Sequence, residues 1–174
     1  MPRYDITPVP DADLQVGLLL AMLDMGTEGW LDEIGDVTDE LVRFQPFPDS
    51  HSIGAIVLHL ADCENWWLHH IAAGLPRDPA EVAEFLSDET DQYGLDWPTP
   101  PAEPFAWYLE KLRRVRKRTR ELVLAINDPE HIGKHGDDEF TLRWILHHVI
   151  EHEAYHAGQA VFLSVMYGAQ GRGN

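Results

Sequence analysis

A single cysteine, Cys63, leaves no partner for an internal disulfide and too few thiolates for a cysteine-rich zinc module. That usage fits a reducing compartment. Bases are scarce too: 13 Lys and Arg stand against 30 Asp and Glu, a formal net charge of −17, which repels phosphate backbones and anionic bilayers. Neither nucleic acid nor a membrane is an expected partner. No uninterrupted apolar run approaches the roughly 18 residues of a membrane span. The opening MPRYDITPVPDADLQ also lacks the basic-then-apolar pattern of a signal peptide. The expectation is a cytoplasmic protein. Convincing alternating strands, repeats and low-complexity tracts are also missing.

What the chain does have is helical periodicity, in a length of 174 residues that suits one domain, 1–174. Residues 1–10 hold three prolines and read as a leader or packed arm. Asp11 or Asp13 can cap a first helix that runs from Leu14 to about Gly35. A short helix follows over Thr38 to Phe44. Ser52 caps a second long helix, Ile53 to Gly74, which ends on glycine as helices often do. Leu75 to Pro104 is a long, acidic, aromatic connection with a short helix at Ala80 to Leu86, and it could fold over an opening. Pro104 to Ile126 is the third long helix, Asn127 to Glu139 a polar loop, Thr141 to Gly168 the last helix, and 169–174 a flexible tail. Together these predict an all-α fold, an antiparallel four-helix bundle with one long crossover. The third long helix carries Lys111, Arg113, Arg114, Arg116, Lys117, Arg118 and Arg120, read as a solvated face paired with the acidic remainder.

The last helix contains His152-Glu153-Ala154-Tyr155-His156, an H-E-x-x-H pattern. Residues four apart on a helix point the same way, so two imidazoles can converge on one divalent cation. At about 100° per residue, His152 and His156 lie within the apolar arc of Leu142, Ile145, Leu146, Val149, Ala160 and Leu163. Glu153 is on the other flank, His148 at the edge and His147 nearly opposite. Two rings buried there without partners would cost on the order of several kcal/mol. Metalloproteases with this pattern complete their site downstream of the second histidine. Here AGQAVFLSVMYGAQGRGN supplies no His, Asp, Glu or Cys, so proteolysis is disfavoured and a further ligand must come from upstream.

The segments SHSIGAIVLHLADCENWW, Ser50 to Trp67, and TLRWILHHVIEHEAYHAGQ, Thr141 to Gln159, make the chain resemble the DinB-like (DinB/YfiT) superfamily of metal-binding four-helix bundles. That pattern has one histidine on the second helix and a His-x-x-x-His pair on the last, leading into x-Gly-Gln. By resemblance the ligands fall on His59, His152 and His156, and the trailing motif on Ala157-Gly158-Gln159. The resemblance implies a divalent metal, zinc or nickel most often, and frequently a homodimer. It also implies a small-molecule reaction: transfer involving a low-molecular-weight thiol such as mycothiol or bacillithiol, or metal-dependent hydrolysis. A noncatalytic stress-associated or interaction protein with a structural metal is the alternative.

Three neutral histidines leave open coordination positions, as catalytic zinc sites do, whereas structural zinc is usually closed by four protein ligands. His148 and His51 are the rivals of His59. Glu153 is the candidate catalytic residue, a base, with an outer acceptor for an imidazole N–H or a salt-bridge partner as its other readings. Glu64 and Asp62 are similar candidates. Cys63, one turn after His59, reads first as packing and second as a ligand. Trp66, Trp67, Trp144 and Tyr155 read as bundle packing ahead of substrate contacts, and Gln159 as either helix packing or a pocket hydrogen bonder.

Overall fold

In the computed structural model, which describes residues 3–91, 93–94 and 96–170, Asp13 caps α1 (Leu14–Ile34) by accepting from the Gln15 and Val16 amides. The arm before it packs: the Val9 amide donates to the Gly17 carbonyl at 3.1 Å. A Cβ on Gly17 would lie 3.0 Å from the Val9 oxygen, so only glycine admits the arm this closely. Thr38 caps the one-turn α2 (Asp39–Val42), and Ser52 caps α3 (Ile53–Glu64) through the Ala55 amide at 3.3 Å. The short α4 (Pro79–Glu84) lies in the crossover. It is followed by α5 (Phe105–Ile126), which Asn127 ends in a left-handed conformation, and by α6 (Leu142–Gln170). The tail expected over 169–174 is helical at 169–170, and 171–174 lie outside the described residues.

Two features depart from the expected layout. The second long helix is not α-helical throughout: Asn65–Ala72 continues α3 as a π-helix, with the Ala73 amide reaching back five residues to the Leu68 carbonyl. The expected polar loop contains a hairpin, β1 (Ile132–His135) paired antiparallel with β2 (Asp138–Thr141). Gly136 turns it at φ 59°, a conformation glycine adopts without strain. Gly133 lets it dock, because a Cβ there would lie 2.7 Å from the Ile71 carbonyl oxygen of the π segment.

The four long helices form a helical bundle, and the long crossover sets their directions. α3 pairs with α6 antiparallel, as His59 opposite His152 and Trp67 opposite Trp144 show. α1 pairs with α6 in parallel, Gln15 near Arg143 and Thr27 near Glu153. α3 and α5 are also parallel, Asn65 near Arg118 and His69 near Thr119. The order is up, down, down, up. Two apolar clusters fill the bundle, one around Ile53, Ile56, Tyr108, Val115 and Ala160, the other around Val16, Leu20, Leu68, Val123 and Leu146. The site lies at the level between them. Among the described residues no helix is long and apolar enough to cross a membrane.

Candidate metal centre

His59 arrives from α3, and His152 and His156 arrive one turn apart from α6. Because α3 and α6 are antiparallel neighbours, residues 93 apart in sequence meet with Nε2 of His59 3.1 Å from Nε2 of His152. Ring centroids stand 4.9 Å apart for His59–His152, 4.9 Å for His59–His156 and 4.5 Å for His152–His156. One ligand nitrogen from each ring falls within 4.8 Å of the others. Two nitrogens at about 2.0–2.1 Å from a tetrahedral cation are about 3.3 Å apart, so the spacing suits a shared ion.

The electrostatics agree. Burial pushes His59 down to about 3, with His152, His156 and His51 adding repulsion; burial likewise pushes His152 down to about 3, with His156 and His148 contributing. His156 is lowered by burial and partly restored by Gln159. At neutral pH all three rings are therefore uncharged and have a lone pair to give. For His156 the choice of nitrogen follows from Gln159: Nδ1 donates to its Oε1 at 2.7 Å, which leaves the Nε2 lone pair free.

The triad forms one wall of a cleft of about 850 Å³, also lined by Asp62, Cys63, Trp66, Trp67, Arg77, His135, Tyr155 and Gln159. Trp97, fully buried, packs edge-on to His59 at 5.1 Å. Helices thus bring the ligands, while the crossover brings Trp97 and Arg77. A model of the family described as Mycothiol-S-transferase matches residues 18–163. The chain belongs to this DinB/YfiT-like family. No curated protein matches the chain. Among solved structures it is similar to a conserved protein from Enterococcus faecalis at 17% identity and a TM-score of 0.62, covering 84% of this chain and 93% of that one. At that identity the likeness speaks for the fold.

Within this mycothiol S-transferase family framework the other expected residues take definite places. His51 stacks on Trp97 at 4.0 Å and His148 on Trp144 at 5.0 Å, so neither rival joins the triad, though both line the cleft. Cys63 also lines the cleft, and burial, with Asp62 and Glu64 nearby, pushes its thiol well above the usual range. It is a poor nucleophile. Asp62 pairs with Arg77, whose guanidinium lies 5.2 Å from the Trp66 ring centroid. Trp66, Trp67 and Tyr155 line the cleft, a surface role beyond the packing expected of them; Trp144 packs on Trp67 outside it. Gln159 has the pocket role.

Glu153 is turned away from the cleft. Its Oε1 accepts from Thr27 Oγ1 at 2.5 Å and Trp30 Nε1 at 2.9 Å, and its Oε2 from Arg116 Nη2 at 2.7 Å. Of the roles expected for it, these contacts fit the salt bridge. Glu64 meets the same arginine, both of its oxygens accepting from Arg116 Nε at 3.0 and 2.9 Å. Five of the seven bases of the α5 run, Lys111, Arg114, Arg116, Arg118 and Arg120, pair with acids, but Lys111 and Arg116 leave the solvated face, their side chains 11% and 13% exposed. Arg77, Trp97, His135 and Arg116 are the participants that sequence reasoning passed over.

Proposed function

We propose that His59, His152 and His156 hold one divalent metal, zinc or nickel, and that the cleft beside it transfers a low-molecular-weight thiol of the mycothiol type to a small electrophile. The observation that carries this reading is the convergence of three uncharged imidazoles on the wall of an open cavity in a chain of this family. A cation bound there would act as a Lewis acid that favours the thiolate over the thiol. The chain's own part is to position: the three rings hold the cation, Gln159 fixes the tautomer of His156, and Trp66, Trp67 and Tyr155 give the organic partner apolar surface. Glu153 enters as a support for the ligand helix, its oxygens being committed to Thr27, Trp30 and Arg116.

The noncatalytic reading, a metal that staples helices, calls for a fourth protein ligand; the group found among the described residues has three. Hydrolysis uses the same three ligands, and the family match favours thiol transfer over it. A reduced thiol cosubstrate fits a cytoplasmic reaction, and light scattering tests the homodimer that the resemblance implies. The test of function is direct. Protein purified without an affinity tag should contain about one metal per chain, with His152→Ala largely metal-free. The metal-loaded protein should accelerate conjugation of an electrophile such as an alkyl halide to a glycosylated cysteine thiol. Metal-free wild-type protein, or loaded protein inert towards every thiol, overturns the reading.

A further inference from the structure

Arg116 is the side chain the proposed chemistry leaves unused, and it lies in the middle of the bundle. It starts on α5 and reaches the other three long helices. Its Nε donates to both oxygens of Glu64 on α3, and its Nη2 donates to Glu153 on α6 at 2.7 Å. On α1 its Nη1 donates to Thr27 Oγ1 at 2.9 Å and to the Leu23 carbonyl at 3.3 Å. Glu64 is 1% exposed and Glu153 4%. Burial alone would lower the Arg116 pKa, but Glu64 and Glu153 outweigh it and keep the guanidinium charged. This polar layer lies between the two apolar clusters, at the level of the histidine triad.

Its place along the helices matters more than its charge. Glu153 is next to His152, and Glu64 is five residues, a little over one turn, beyond His59. The two helices that supply the metal ligands therefore meet at two places. On the cleft side the rings approach to 3.1 Å; behind them, Glu64–Arg116–Glu153 forms a fixed link. Among the described residues no hydrogen bond besides the ring contact crosses directly between α3 and α6, so apolar packing alone sets their register there. A guanidinium fork presents donors in a rigid plane and admits few displacements of that register. Three lone pairs aimed at one point also repel one another until a cation arrives. Something other than the cation must keep the rings together.

We infer that Arg116, through Glu64 and Glu153, is a positioning residue that preorganises His59, His152 and His156 for metal. The inference rests on the metal reading above. Removing Arg116 alone would strand two buried carboxylates, so the informative variant exchanges the whole layer: Glu64→Met, Arg116→Met and Glu153→Met together. Replacing a buried ion triad with apolar side chains of similar volume commonly preserves folding. Affinity for Co²⁺ and Zn²⁺ is measured by competition with a chromogenic chelator, the cobalt visible spectrum reports ligand geometry, and urea unfolding of the metal-free protein reports stability.

The expected result is a cooperative urea transition with metal affinity lower by about 10- to 100-fold and altered cobalt bands. A folded triple variant with wild-type affinity and spectrum overturns the inference. Should the triple variant not fold, Arg116→Lys decides, because lysine keeps the charge and loses the fork. Weaker metal binding at an unchanged urea midpoint supports positioning, and unchanged binding overturns it. Wild-type protein that takes up no cobalt defeats the metal reading itself, whereas wild-type uptake with indifferent variants defeats only the role of Arg116.

Discussion

Gln159 shows how one side chain decides the chemistry of another. An imidazole offers a lone pair on one nitrogen only when the other carries the proton, and the Gln159 carbonyl oxygen holds that proton on Nδ1 of His156. Gln159→Leu should leave helix content intact and weaken metal binding by about 10- to 100-fold, measurable by chelator competition. His69 makes a different kind of prediction. It is buried, with Nδ1 accepting from Arg118 Nε at 2.8 Å and Nε2 against Thr119 Oγ1 at 3.0 Å. Burial, then Arg118, pushes its pKa down to about 4. The unfolded chain binds that proton near pH 6.5 and the folded one does not until about 4. The His69 contribution is therefore fully present above 6.5 and is lost as pH falls from 6.5 towards 4. Stability from urea unfolding should lose on the order of 2–3 kcal/mol to His69 across that window, beside the losses from His59 and His152, and His69→Gln should remove that part of the decline. The two roles were unequally legible beforehand. Gln159 was read as either helix packing or a pocket hydrogen bonder, without His156 named as its partner, whereas nothing in the spacing of His69 marks it as a histidine of the π segment bonded to α5. Arg116 was hidden differently, among six other bases of which most do face solvent or surface acids.

Helices were the easiest elements to read, because each has its own punctuation. Ser52 before the run Ile53 to Leu60, and Asp13 before Leu14, are side-chain acceptors placed where backbone donors go unpaired, and the structure uses both as caps. The π-helix and the hairpin carry no such marks. Asn65–Ala72 has helical composition, and its wider turn follows from what it packs against: β1 rests on it through Gly133, and His131 Nε2 donates to the Ala72 carbonyl at 2.8 Å. The strands are four residues each, mostly exposed, and too polar to alternate visibly. Gly133→Ala tests their docking. The added Cβ would meet backbone, which cannot swing aside, so a loss of about 1–3 kcal/mol is expected in urea unfolding. A variant as stable as wild type would mean that the hairpin is not seated on the π segment. The wall of the cleft was half visible for the same reason: residues on periodic helices can be phased, whereas Arg77 in the wall, and Trp97 packed on His59, hang from a crossover whose path no period determines.

At the scale of the molecule, stability and occupancy of the site are one equilibrium. A ligand that binds only the folded chain stabilises it by RT ln(1 + [L]/Kd), about 2.7 kcal/mol at a hundredfold excess over Kd. Zinc should therefore raise the thermal midpoint of wild-type protein by several degrees, about 2–4 °C per kcal/mol at this size, and chelator should reverse it. His152→Ala should show no such rise. Differential scanning calorimetry with and without metal gives the answer. The parallel pairing of α1 with α6 and of α3 with α5 belongs to this scale as well, because only the long crossover lets consecutive long helices run the same way.

The 93-residue separation of His59 from His152 orders events during synthesis. A nascent chain still lacking α6 presents one imidazole of the three, and a lone imidazole is a weak ligand. On the proposed metal reading, an ion can be captured only after α6 has been made and has docked. A product that stops short of α6 would then lack two of the three rings.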